Sequence, residues 1–208
     1  MQPDPGALEP ALRAAQRGDV AAFNRLVEAY QRQVYNVCYR TLGNADDAAD
    51  AAQDAFLSAF RGLRTFHGPA SGFRAWMLRV AVNACYDLLR KRQRRPSDSL
   101  DALCEPGDEP PASDRLADPR PGPEQQALTG ELARHIALAL DQLTFEHRLT
   151  VVLCDVQGLS YEDAALVMSV ELGTVKSRLS RARAHLRELL SANRELHDYV
   201  QRLQQRHP

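Results

Sequence analysis

Residues 173–183 read GTVKSRLSRAR and combine helical spacing with a cationic face. Val175 and Leu179 recur at the helical period, which predicts one buried stripe, and the remaining side chains point elsewhere. Gly173 and Thr174 are interpreted as the turn and the N-cap of this helix. Hydroxyl, ammonium and guanidinium groups hydrogen-bond to base edges in the major groove. The residues predicted to contact DNA are Thr174, Lys176, Ser177, Ser180, Arg181 and Arg183.

A short capped helix is predicted just before this segment. Ser160 followed by Asp163 is typical of a capping box, and small and apolar residues then follow at helical spacing. A turn over about 169–172 leads into the cationic helix, which is the pattern of a helix-turn-helix. A basic helix alone is more often a solvated surface. The DNA-binding interpretation of the cationic helix therefore depends on the capped helix that precedes it.

A second candidate nucleic-acid surface lies in residues 73–95, FRAWMLRVAVNACYDLLRKRQRR. Polar side chains recur there at steps of three or four, apart from the apolar positions, and the segment ends in a basic run. Amides and carboxylates read base edges, and guanidinium groups neutralise phosphates. The aromatic residues of 66–76 either stack on unpaired bases or pack on the core, and the residues alone leave both open. The predicted contacts are Trp76, Arg79, Asn83, Asp87, Arg90 and Lys91.

Residues 44–54 hold four acids and no base, at helical spacing opposite an apolar stripe. Carboxylates repel DNA phosphates, so this face is either solvated or directed at a basic protein partner. The residues alone favour the solvated face.

Composition narrows the class of protein. The chain has 208 residues, of which 44% are hydrophobic and 25% charged, as in soluble proteins of one or two domains. Without a long apolar run or a signal-peptide pattern, we expect a cytoplasmic protein that does not insert into membranes. The four cysteines and six histidines lack metal-site spacing, and no nucleophile triad or phosphate loop stands out. We therefore expect no metal, no cofactor and no catalysis.

The chain divides at an acidic, proline-rich segment. Residues 96–123 hold seven of the 12 prolines, which predicts a flexible linker. On both sides the hydrophobic period is helical, which predicts an all-α protein with small domains at 14–95 and 124–190. Apolar residues in the tail, 191–208, also recur at helical spacing, so the tail either extends the last helix or docks a partner.

Four stretches, taken in order, resemble the extracytoplasmic-function group of bacterial RNA polymerase sigma factors. They are GDVAAFNRLVEAY, DDAADAAQDAFLSAFRGLRTF, FRAWMLRVAVNACYDLLRKR and LSYEDAALVMSVELGTVKSRLSRARAHL, and the resemblance runs from about 18 to 190. It implies sigma regions two and four, with a region-two helix docked on the clamp coiled coil of the largest core polymerase subunit. The polymerase-binding residues implied are Asp47, Asp50, Gln53, Asp54 and Phe56.

The resemblance also assigns the two DNA surfaces. It implies that Asn83, Asp87 and the loop 67–72 recognise and melt the minus-ten element of promoter DNA, and that the cationic helix reads the minus-thirty-five element. A cognate anti-sigma factor is expected as a further partner. Ala49 and Ser169 depart from the pattern of the group. The alternative is a stand-alone helix-turn-helix regulator that acts without polymerase.

Overall fold

The computed structural model describes residues 5–94 and 134–192, and every regular element in these two ranges is helical, as expected from the sequence. The predicted linker at 96–123 and the tail beyond 192 lie outside the described residues. In chain order the elements are α1 Pro5–Gln16, α2 Val20–Leu42, α3 Ala45–Gly62, a 3₁₀ turn Leu63–Thr65, α4 Ala70–Arg94, α5 134–141, α6 Phe145–Val151 continued by a π-helical turn Val152–Val156, α7 Tyr161–Met168 and α8 Leu172–Ala192.

Helices α1 to α4 form an N-terminal bundle whose boundaries follow from capping residues. Asp19 accepts a hydrogen bond from the Ala22 amide at 3.0 Å and starts α2. Gly43 ends α2 with a φ of 76°, which favours glycine because it has no Cβ. Asn44 then caps α3 through the Asp47 amide. The bundle also includes residues before 14, because Leu12 of α1 is buried in the same core.

Helices α5 to α8 form a C-terminal bundle that contains the predicted helix-turn-helix. Thr144 caps α6, and Ser160 caps α7 by accepting from the Asp163 amide at 3.0 Å, which confirms the predicted helix start. Ser169 ends α7 in the left-handed conformation, with a φ of 55°. Val175 and Leu179 of α8 are buried against α6 and α7, as their spacing predicts.

The two bundles pack directly on each other. Val37 of α2 and Leu78 and Val82 of α4 are almost fully buried, and they belong to the apolar core of the C-terminal bundle. Burying a Val or Leu side chain stabilises a contact by about 1.5–3 kcal/mol. Two domains joined by a linker were expected from the sequence, and this shared core was not.

The described residues were compared with the features of membrane-spanning and metal-binding proteins by helix length and by side-chain grouping. None of them is long and apolar enough to span a membrane. In 5–94 and 134–192 no three His, Cys, Asp or Glu side chains are grouped to hold a metal ion. Cys38, Cys85 and Cys154 are free and buried, as the sequence predicts, and Cys104 lies outside the described residues.

Candidate nucleic-acid interface

The exposed face of α8 carries most of the residues predicted to read base edges. The helix buries Val175 and Leu179, and this orientation leaves the intervening polar side chains on the opposite face. Because a helix-turn-helix inserts the first turns of its second helix into the major groove, these side chains have the placement that base reading requires. The exposed residues of this face are Lys176, Ser177, Ser180 and Arg181.

The start of α8 differs from the prediction. The helix begins at Leu172, because the Glu171 carbonyl accepts from the amides of Thr174 and Val175 at 2.9 and 3.2 Å. Thr174 therefore lies within the first turn and is not the N-cap. Its carbonyl also accepts from the Ser177 hydroxyl at 3.1 Å, so this hydroxyl is bonded to its own helix.

Two arginines of α8 are held by carboxylates of this chain. Arg183, predicted to contact DNA, donates from Nε to Asp155 at 3.0 Å and forms an ion pair with it. The hydrogen bond that Arg183 donates to the Asp155 carboxylate is the main cause that raises the pKa of Arg183. Arg178 pairs with Glu146 of α6 at 2.7 Å. Both guanidinium groups thus tie α8 to the elements before it.

The polar stripe of α4 is exposed along its length. Arg79, Asn83, Asp87 and Arg90 all face solvent, and the Arg90 guanidinium lies 3.2 Å from the Asp87 carboxylate. An exposed ion pair of this kind contributes little to stability. It does place a cation and a carboxylate side by side, next to the Asn83 amide on the same face.

The aromatic residues before and within α4 pack on one another. The Trp76 ring centroid lies 5.4 Å from that of Phe66 and 5.5 Å from that of Phe73. Gly68 makes this packing feasible, since a Cβ there would approach Phe66 Cζ to 2.9 Å. Phe66 and Phe73 are buried, which selects the core alternative for these two rings. Trp76 is half-buried, so its contact with an unpaired base stays a prediction.

The acidic face of α3 divides into a buried and an exposed part. Asp47 is buried and ion-paired with Arg92 of α4, and burial raises the pKa of its carboxyl although Arg92 lowers it. One carboxylate oxygen of Asp47 is buried without a hydrogen-bond partner. Asp54 faces Lys91 across 3.8 Å, with both side chains exposed. Asp47 therefore has an internal partner, whereas Asp50 remains exposed.

An apolar groove adjoins the exposed acids. It is an open depression between α2 and α3 in which Leu57 and Phe60 leave 47% and 42% of their surface in contact with solvent. Large apolar side chains exposed together mark interaction sites. Of its lining residues only Gln53 and Phe56 were predicted to face a partner; Leu57 and Phe60, which lie three positions apart on α3, were missed because the sequence does not show which apolar side chains stay exposed. The groove is lined by Val20, Phe23, Gln53, Phe56, Leu57 and Phe60.

Two family models match the chain. Residues 26–95 match Sigma-70 region 2, and residues 134–186 match Sigma-70, region 4. These matched ranges cover the exposed stripe of α4, the acidic face of α3 and the helix-turn-helix.

Several curated proteins are similar over most of the chain. The RNA polymerase sigma-H factor of Pseudomonas aeruginosa is 39% identical over 168 residues, which are 81% of this chain and 86% of that protein. The ECF RNA polymerase sigma-E factor of Escherichia coli K12 is 36% identical, with 81% and 86% covered. The ECF RNA polymerase sigma factor SigE of Mycolicibacterium smegmatis is 38% identical over 177 residues. The matched residues are 84% of this chain and 65% of that protein.

Solved structures show the same architecture. The sigma factor RpoE in complex with the anti-sigma factor NepR from Bartonella quintana superposes with a TM-score of 0.64 at 28% identity, covering 83% of this chain and 98% of that one. CnrH in complex with the cytosolic domain of CnrY gives a TM-score of 0.61 at 29% identity, covering 88% and 96%.

Proposed function

The chain belongs to the extracytoplasmic-function group of sigma-70 RNA polymerase sigma factors, and we propose that it uses separate surfaces of its two bundles to initiate transcription. One surface binds core polymerase, one recognises and opens the minus-ten element, and one reads the minus-thirty-five element. The observation that carries this assignment is the exposure of Asn83 and Lys176 on different bundles, with an exposed acidic and apolar surface on α3.

Core polymerase is proposed to dock on α3. The exposed side chains of Asp50, Gln53 and Asp54 lie on the helix that also lines the apolar groove. A basic coiled coil, such as the clamp of the largest subunit, would meet charge complementarity from the acids and apolar contact from Phe56 and its neighbours. Asp47 has a structural role in this surface, because its carboxylate is ion-paired with Arg92 and so joins α3 to α4.

The exposed stripe of α4 is proposed to contact the minus-ten element. Asn83 can pair with a base edge, and Arg79 and Arg90 can neutralise phosphates beside it. Trp76, in the second turn of the same helix, packs on Phe66 and Phe73 and is only half-buried, so it can still contact an unpaired base. Of the predicted loop 67–72, residues 70–72 belong to α4, so only 67–69 form a loop beside it.

The exposed face of α8 is proposed to read the minus-thirty-five element. Lys176 and Arg181 present cations suited to guanine acceptors, and Ser180 presents a hydroxyl between them. Arg183 has a supporting role in this proposal, because its pairing with Asp155 fixes α8 against the turn after α6.

The partners follow from this assignment. They are core RNA polymerase, promoter DNA and a cognate anti-sigma factor, since one similar structure is a complex of a sigma factor with an anti-sigma factor. The protein itself performs no reaction, because polymerase supplies the catalysis, and acting with polymerase places its work in the cytoplasm. A stand-alone regulator is disfavoured, since it offers no use for the exposed acidic and apolar surface of α3.

Reconstituted transcription tests the proposal. Purified protein is mixed with core polymerase and a pool of promoter-containing genomic fragments, and the transcripts are sequenced. We expect initiation from a restricted set of start sites that share two conserved elements upstream. Transcripts that are the same with and without the protein would contradict it.

A further inference from the structure

The chain that leads from α3 into α4 is fixed at Phe66. This residue follows the 3₁₀ turn and begins the loop 67–69. Its ring is buried against Phe73 and Trp76, at centroid distances of 5.6 and 5.4 Å. Its backbone amide donates to the Leu63 carbonyl at 3.2 Å. The ring of Phe66 is therefore held by α4, and its amide is held by the 3₁₀ turn.

The carbonyl of Phe66 is held by a third element, α1. The side-chain amide of Gln16 donates from Nε2 to this carbonyl at 2.6 Å, across 50 positions of the sequence. Both groups are partly buried, and a backbone carbonyl removed from water costs free energy unless it accepts a hydrogen bond. Gln16 therefore fixes the point at which the loop 67–69 leaves the core of the N-terminal bundle.

The end of α1 keeps Gln16 in place. Leu12 and Ala15 are buried in the core of the N-terminal bundle, and Gln16 lies one turn after Leu12 on the same side of the helix. The Gly18 amide donates to the Ala15 carbonyl at 2.9 Å, with a φ of 99° that favours glycine. A Cβ at Gly18 would lie 3.6 Å from the Arg64 guanidinium. The turn after α1 therefore lies against the 3₁₀ turn before the loop.

The hydrogen bond to the Phe66 carbonyl also orients the backbone amide of His67. The peptide group is planar, and no described peptide bond is cis. In a trans peptide the C=O and N–H bonds point in opposite directions, so a carbonyl that faces Gln16 directs the His67 N–H away from α1. His67, Gly68 and Pro69 are exposed. Since backbone N–H groups donate to nucleotides, the direction of this amide affects what the loop can bind.

We propose that Gln16 is a positioning residue for recognition of the minus-ten element, because its hydrogen bond to the Phe66 carbonyl sets the direction in which the loop 67–69 meets an unpaired base. The inference rests on the proposed sigma function. Gln16 does not touch DNA in this role and acts through the peptide group that joins Phe66 to His67. It precedes residues 26–95, the range that matches Sigma-70 region 2, so that match assigns it no role.

Residue-resolved amide hydrogen exchange in the full chain tests the hydrogen bond itself. Gln16→Leu keeps a side chain of similar size and removes its donor. The Phe66 amide should then exchange about fivefold faster, because the peptide that carries it is held at fewer points. Gln31→Leu makes the same change at an exposed glutamine of α2 and is the matched control, with an unchanged rate. Unchanged exchange of the Phe66 amide in Gln16→Leu would overturn the inference.

Base preference is the second measurement. Core polymerase with each variant initiates on one activated promoter and on derivatives with single substitutions in either element. We expect Gln16→Leu to reduce the preference for one base of the minus-ten element by about fivefold, and to leave the minus-thirty-five preferences and the affinity for core polymerase unchanged. Gln16→Lys keeps a donor and should restore most of the lost preference. Because a preference is a ratio between templates, the added charge of the lysine cancels.

The outcomes separate this inference from the sigma function. If the wild type directs initiation and Gln16→Leu has the same minus-ten preferences, the inference fails alone. A loss of preference spread equally over both elements, or a Gln16→Lys variant no better than Gln16→Leu, would also overturn it. If the wild type supports no specific initiation, the proposed function itself fails, whereas the exchange of the Phe66 amide still reports the hydrogen bond.

Discussion

At the scale of single residues, the structure separates exposed charges from charges that this chain already pairs. Lys176, Arg181 and Asp50 face solvent, whereas Arg183 and Asp47 have internal partners. Sequence spacing placed all five on polar faces but does not reveal ion pairs between distant segments. Asp47 and Arg92 are 45 positions apart, and only the packing of α3 on α4 brings them together.

The first prediction concerns base reading by α8. Lys176→Ala or Arg181→Ala removes one base contact each, so specific binding should weaken by about 1–3 kcal/mol and the preference for the contacted base should relax. Initiation by reconstituted polymerase is measured on promoters with single substitutions in the upstream element. Arg183→Ala is the matched cation control, and it should lower stability without changing the base preference. An equal loss on every template would rule out reading by Lys176 or Arg181.

The second prediction separates two neighbouring acids of α3. Asp50→Arg should weaken binding to core polymerase by at least about tenfold, because it puts a cation on the proposed docking surface. Asp47→Asn should leave that affinity nearly unchanged, because the Asp47 carboxylate is buried against Arg92. Affinity is measured by fluorescence titration with core polymerase. Equal effects of the two substitutions would contradict the assignment.

The third prediction follows from the raised pKa of Asp47. Since its folded-state pKa lies above the ordinary 3.8, ionisation of this group favours unfolding. Its contribution to the free energy of unfolding is therefore fully present below pH 3.8 and lost as pH rises through the raised value. Asp47→Asn should abolish this loss, which chemical denaturation across pH 3–7 measures. A variant with the same pH dependence as the wild type would show that Asp47 does not titrate this way.

At the scale of elements, the sequence predicted some helix ends correctly and others wrongly. Ser160 was recognised as a cap because a capping box is a local pattern, and the structure confirms it. The start of α8 was misplaced by three residues, since Gly173 suggested a turn that the Glu171 carbonyl and Ser169 instead provide. The second apolar stripe of α4, at Leu78 and Val82, was missed because one helix can bury two faces only when a second body packs on it.

The fourth prediction concerns the turn of the helix-turn-helix. Ser169 has a φ of 55°, a conformation that glycine adopts without strain. Ser169→Gly should therefore raise the free energy of unfolding by up to about 1 kcal/mol, the strain relief being partly offset by a more flexible unfolded chain. Thermal or urea unfolding measures the change. Ser169→Ala, which keeps a Cβ, is the control, and a gain of equal size from it would refute the strain argument.

At the scale of the whole molecule, two helical bundles carry the two proposed DNA surfaces and the proposed protein-docking surface. Composition and helical period were enough to predict the all-α class, and four ordered motifs were enough to predict the family. The packing of one bundle on the other was not predictable, because it depends on Val37 and Val82, whose spacing within α2 and α4 carries no sign of a distant partner.

The most direct test is a DNase footprint on one promoter that the protein activates. With core polymerase present, we predict two protected windows about two helical turns apart. Lys176→Ala should weaken only the upstream window. Asn83→Ala should weaken only the downstream window and should also reduce strand opening. Protection by the protein alone at full strength, or a single window lost equally in both variants, would contradict the assignment of separate recognition surfaces to the two bundles.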